Sequence, residues 1–157
     1  MEVRSRDAAE AFTTLDGSTI RVLLDAALGG AANQSLAEAS LGGGQSTQRH
    51  YHARSEEIYF FLEGGGLMEV DGDSREVGVG DAVLIPPGEW HQITAGDDGA
   101  RFLCCCAPPY ADEDTFFATV GPLSTSVPTR SLSRRRKCAA RSRTLSSATS
   151  RSVRTRR

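Results

Sequence analysis

No stretch of the chain stays apolar for the roughly 18 residues that a bilayer-spanning helix requires, so no membrane helix is expected. The first residues, Met1 to Glu10, are charged and lack the apolar run of a signal peptide, so the expectation is a cytoplasmic protein. The cysteines cannot form a disulfide framework. Cys104, Cys105 and Cys106 are consecutive and Cys138 stands alone, and adjacent cysteines seldom bridge one another. No glycine loop leads into Lys-Ser or Lys-Thr to cradle a phosphate, and no Gly-x-Ser-x-Gly elbow presents a nucleophile. Histidine is scarce, with three residues in 157.

Negative charge is missing from one whole region. Of the 18 Lys and Arg, eleven lie at or beyond Arg130, where there is no acid; seven stand against all 20 acids before it. The net charge of −2 therefore hides a body near −13 and a tail near +11. An acidic body is a poor surface for nucleic acid or anionic lipid, which need clustered cations. From about Pro122 to Arg157, Ser, Thr, Arg and Ala dominate and aromatics are absent. Such a segment buries too little apolar surface to offset its ordering entropy, so residues 122–157 are expected to be a disordered tail. It reads either as a basic arm or as a solvated tail without a role. No aromatic residue interleaves the arginines to stack on bases, so no nucleic-acid partner is expected.

What is present is a series of short apolar runs broken by glycine. Residues 1–17 form a polar N-terminal segment, with a short helix possible over Asp7 to Phe12, closed by the turn signal Asp16-Gly17. Strands are expected at Thr19 to Leu24, Gln34 to Leu41, Thr47 to His52, Glu57 to Leu62 and Leu67 to Val70. Asp71-Gly72 is a hairpin signal, and Gly64-Gly65-Gly66 reads as another hairpin. Further strands are expected at Glu76 to Val79, Ala82 to Ile85, Trp90 to Thr94 and Arg101 to Ala107. Thr115 to Val120 is either one more strand or a short helix. This spacing, without a long helical period, argues an all-β barrel or sandwich over residues 18–121.

The chemistry gathers around the histidines. His50 and His52 are two apart in a strand and share a face. After a turn over Ala53 to Glu56, Glu57 opens a strand that can lie beside them across the ladder. Glu56 is the alternative donor, one residue back. His91 supplies a third imidazole from a distant strand, so the only histidines in the chain converge with one carboxylate. That set suits one divalent ion among Fe²⁺, Mn²⁺, Zn²⁺, Ni²⁺ and Cu²⁺, and the hard oxygen of Glu57 favours Fe²⁺ or Mn²⁺. Tyr59 and Phe61 share the parity of Glu57, and Gln48 that of His50; with Met68 and Ile93 they are candidate substrate-lining residues, or plain core. Trp90 alternates outward. Cys105 faces opposite to Cys104 and Cys106, which serve as soft ligands, redox thiols or small hydrophobes.

At these residues the sequence resembles the cupin family. Gly44, His50, His52, Glu57 and Gly64 carry its first motif, and Gly80, Pro86, Gly88 and His91 its second, with the short gap Gly65 to Val79 seen in compact prokaryotic members. One departure is Ala95, where many members have asparagine as a turn element. The resemblance implies a jelly-roll barrel of six to eight strands with a metal in its mouth, and a homodimer, for which Thr19 to Leu24 is apolar enough to pair across a two-fold. It also implies metal-dependent chemistry on a small organic molecule, of oxygenase, isomerase or lyase type, with Glu57 as the catalytic candidate. A non-catalytic binding or sensing module is the alternative. Arg49 and Arg54 alone offer a cation near the motifs, and Arg49 alternates outward, so a sugar phosphate is a poor fit.

Overall fold

The computed structural model describes residues 1–118; the tail expected over 122–157 and the end of the segment reaching Val120 lie outside the described residues. Nine strands are present among the described residues: β1 (Phe12–Thr13), β2 (Thr19–Leu24), β3 (Ser35–Leu41), β4 (His50–His52), β5 (Glu56–Val70), β6 (Asp73–Gly78), β7 (Ala82–Ile85), β8 (His91–Ala107) and β9 (Thr115–Phe117). They form one antiparallel sheet in the order β1-β2-β3-β8-β4-β9, with β5 joined through β8 and carrying β6 and β7. The sheet curls into the expected jelly-roll barrel, with more strands than the six to eight expected. Among the described residues no helix is long and apolar enough to cross a membrane.

Strand alternation makes the core. Along the first half of β5, Glu57, Tyr59 and Phe61 are buried while Glu56, Ile58 and Phe60 are exposed. In this register Glu57, not Glu56, faces inward. From β8, Ile93, Phe102 and Cys104 join Tyr59, Phe61, Met68, Ile85, Ala39 and Leu41 in one cluster. Each large side chain buried there contributes about 2 kcal/mol of transfer free energy.

Two pairs of expected strands are each one long strand. Gly64-Gly65-Gly66 is no hairpin: it lies inside β5, which pairs with β8 on both sides of it, with register shifts between Phe61 and Glu63 and between Gly64 and Gly66. The glycines are there because backbones touch. A Cβ on Gly64 would collide with the Gly99 carbonyl, and one on Gly66 with that of Thr94. Likewise the strands expected at Trp90 to Thr94 and Arg101 to Ala107 belong to the single strand β8, which begins at His91 and runs through Gly96 to Gly99. Asp71-Gly72 is the hairpin turn expected, with φ of 46° and 88° between Val70 and Asp73.

The N-terminal segment differs from expectation. The possible helix is a single 3-10 turn, Arg6–Ala8, and Phe12–Thr13 pairs with β2. This pairing covers Thr19 and Ile20, so β2 is only in part the open edge expected for a two-fold partner. The strand expected over Thr47 to His52 shortens to β4, and Gln48 is exposed before it. Thr115–Phe117 is a strand, pairing with β4.

Candidate metal centre

Three local devices bring four side chains together. In β4, alternation buries His50 and His52 and turns Tyr51 outward to stack on Phe116, with ring centroids 5.0 Å apart. The turn from β4 into β5 is held by Asp114, whose carboxylate accepts from Arg54 N, Ser55 N and Ser55 Oγ at 3.0–3.2 Å. That turn sets Glu57 on the same inner face. The Pro86-Pro87-Gly88 turn is fastened where Gly88 N donates to the His52 carbonyl at 2.7 Å, and β8 then opens with His91 opposite His50 in the ladder. One ligand atom each from His50, His52, Glu57 and His91 lies within 4.8 Å of all the others, and all four residues are buried.

The hydrogen bonds decide which nitrogens face the centre. His50 Nδ1 donates to the Gln48 carbonyl at 2.7 Å, and His91 Nδ1 to the Glu89 carbonyl at 3.2 Å. Thr115 Oγ1 donates to the Ala111 carbonyl and so accepts from His52 Nδ1 at 3.1 Å. These bonds place a proton on Nδ1 of each imidazole and leave Nε2 facing the centre, as in a metal-binding histidine with an outer partner. Burial, then neighbouring His91, pulls His50 down to about 4, so it is neutral at ordinary pH.

Glu57 faces those nitrogens. Its Oε2 lies 3.3 Å from His52 Nε2 and 3.4 Å from His91 Nε2. Burial pushes its carboxyl up, but the hydrogen bonds that His52 and His91 would donate with a proton on Nε2 outweigh this and pull it below the usual carboxylate range; a bound ion would stand where that proton does. Glu57 Oε2 and His91 Nε2 are buried without a hydrogen-bond partner among the described residues. Lone pairs converging on a carboxylate oxygen repel each other unless a cation lies between them, so the donor set fits a divalent ion. The other oxygen, Oε1, accepts from Cys106 Sγ at 3.3 Å, because Cys106 pairs with Glu57 across the ladder.

Glu57, His50 and His52 stand in the wall of a cavity of about 430 Å³. Of the candidate substrate residues, only Tyr59 lines it; Phe61, Met68 and Ile93 are buried in the core. Gln48 does not share the buried face of His50, because the strand begins only at His50; its contribution is its carbonyl. The cavity wall also includes Cys104, Cys106, Tyr110, Thr115, Phe117 and residues 12–16. Burial pushes the thiols of Cys104 and Cys106 up, so both are protonated and unreactive. Their inward parity is visible in the sequence. Tyr110 and Thr115 sit in a segment without periodicity, and no sequence signal marks them.

A family model described as "Cupin domain" matches residues 37–106. An uncharacterized protein of Methanocaldococcus jannaschii is 46% identical over 110 residues, covering 69% of this chain and 88% of that one. Dimethylsulfoniopropionate lyase of Ruegeria pomeroyi is 37% identical over 67 residues, 43% of either chain. Among solved structures, a Streptomyces nucleoside dehydratase superposes with a TM-score of 0.63 at 17% identity, covering 75% of this chain and 91% of that one.

Proposed function

The chain belongs to the cupin superfamily, and from that premise we propose that it is a metal-dependent enzyme of the lyase or isomerase type acting on a small organic molecule in the barrel mouth. One observation carries the reading: among the described residues Glu57 Oε2 and His91 Nε2 are buried without partners while every imidazole is tied at Nδ1. His50, His52 and His91 through Nε2, and Glu57 through Oε2, would hold the ion. When bound, it would supply Lewis acidity toward a carbonyl or hydroxyl oxygen of the substrate.

The chain's own groups do the rest. Cys106 keeps Oε1 of Glu57 occupied, so the carboxylate offers one oxygen and leaves room for substrate. The Tyr110 hydroxyl, which donates to Asp112 at 3.0 Å beside the His52 ring, can hold or pass a proton at the cavity wall. Phe117 packs against the His50 ring and Tyr59 against the His91 ring, with centroids 5.6 and 6.1 Å apart, and these aromatic walls would limit water at the site. The named relatives, a lyase and a dehydratase, both perform eliminations and support the same class.

Elemental analysis of the purified full chain should find about one ion per chain, with Fe²⁺ or Mn²⁺ favoured by the Glu57 oxygen. Turnover of hydroxy- and oxo-acid panels should proceed without oxygen. Substrate-dependent oxygen uptake would make it an oxygenase instead. Stoichiometric metal with no turnover on any panel would favour the binding or sensing module. We also propose a homodimer, checked by light scattering at micromolar concentration; a monomer mass would refute it.

A further inference from the structure

The charge of the cavity walls bears on what can enter. Before Arg130 the chain has seven arginines and no lysine. Five of them are held by acids: Arg6 by Glu38 and Asp7, Arg49 by Glu69, Arg54 by Asp114, Arg75 by Asp73, and Arg101 by Glu38 and Glu63. Among the described residues no Arg or Lys lines the cavity, whereas Asp16, Asp25 and Asp112 do.

These aspartates are not neutralised by a cation among the described residues. Asp16 Oδ1 accepts from Thr14 Oγ1 and, at 2.9 and 2.7 Å, from Ser18 N and Oγ. Asp25 Oδ1 accepts from Leu28 N, and Asp112 Oδ1 from the Tyr110 hydroxyl. Each bond involves a neutral donor, so the negative charge remains. The aspartates do not make the site by themselves. The site is marked independently by Glu57, 4% exposed and facing the same cavity with Oε2 unpartnered. Around it Phe12, Tyr110 and Phe117 present aromatic rings, whose faces attract cations.

We propose that the cavity takes a small molecule that chelates the metal at one end and carries a positive charge at the other, and that it turns away molecules with a second anionic group. This rests on the open metal site proposed above. A phosphate or second carboxylate at the far end would meet aspartates, ring faces and neutral side chains, with no guanidinium among the described residues to pair with, and would lose its water without compensation. An ammonium-type group would gain from both.

The test uses the full chain loaded with Zn²⁺ and three aliphatic hydroxamic acids of equal length, ending in trimethylammonium, methyl or carboxylate. Calorimetry should rank them in that order, with about tenfold or more between the ends, as a few like charges in a wet mouth produce. The gap should shrink at high salt. The double variant Asp25→Asn, Asp112→Asn, which keeps the acceptor oxygens, should reduce it by about half on a logarithmic scale. Equal or tighter binding of the carboxylate probe, or a gap unchanged in the double variant, overturns this inference alone. If none of the three binds to a protein carrying stoichiometric Zn²⁺, the open metal site fails, and this inference with it.

Discussion

Two buried carboxylates that meet the chain around the β4–β5 turn, dozens of positions apart in sequence, behave in opposite ways. Asp114 is 3% exposed and Glu57 4%. Asp114 accepts from Arg54 N and Nε and from Ser55 N and Oγ, so both oxygens are satisfied. Glu57 has a weak thiol donor on one oxygen and no partner on the other among the described residues. Burial therefore does not distinguish a structural acid from a functional one. Satisfaction does, because an unpaired buried polar group costs free energy that a fold retains only for a ligand.

The largest expected effect separates the two by metal content. Glu57→Gln or His91→Ala should reduce bound ion from about one per chain to a small fraction, while the metal-free melting temperature stays nearly constant. Glu56→Gln, on the exposed face, should leave the content unchanged. A variant of Glu57 with full stoichiometry and affinity would refute the ligand set.

Asp114→Ala should do the reverse of Glu57→Gln. Losing charge-assisted bonds to a buried turn should cost about 3 kcal/mol and lower the melting temperature by about 10 °C. An unchanged melting temperature would end the contrast. The pH dependence gives a finer test of the same bonds. Burial pushes the Asp114 carboxyl up, but the hydrogen bonds from Arg54 and Ser55 outweigh it and hold it below its ordinary value. Its stabilising contribution should be present above about pH 4 and be lost as pH falls through the depressed value. Asp114→Asn should accordingly flatten the acid limb of a stability-versus-pH curve; an unaltered limb would show that the carboxylate is not the source.

Cys106→Ala should have a moderate effect. Releasing Oε1 should weaken metal binding by less than about tenfold and change the visible spectrum of the Co²⁺-loaded protein, because Glu57 can then offer both oxygens. An identical spectrum would show that the thiol does not position the carboxylate. The smallest effect is expected at the tail. Cutting after Pro122 should leave metal content and melting temperature unchanged, and a large drop would contradict the reading of 122–157 as dispensable.

The sequence made the ligand set legible because its signals are short-range or strictly periodic. His50 and His52 share a face by strand period, Glu57 follows within one turn, and the alternation through Tyr59 and Phe61 sets the register. The hairpin at Asp71-Gly72 is legible because positive φ favours such residues. Parity does not hold at Gln48 because it lies before β4 begins, where the chain has not yet entered the ladder.

Composition and periodicity by themselves determined an all-β barrel, the shared face of His50 and His52 with Glu57 one turn on, and the acidic body, since each depends on neighbours in the chain or on residue counts; His91 joined that set through the resemblance of its motif. Only the tertiary structure decided that Gly64 to Gly66 continues a strand, that Asp114 locks the β4–β5 turn, that Thr115 and Cys106 hydrogen-bond His52 and Glu57, and that three aspartates line the cavity. Those contacts join residues that are, for the most part, dozens of positions apart. A contact across that distance depends on how two strands are paired and bent, which local backbone preference does not encode.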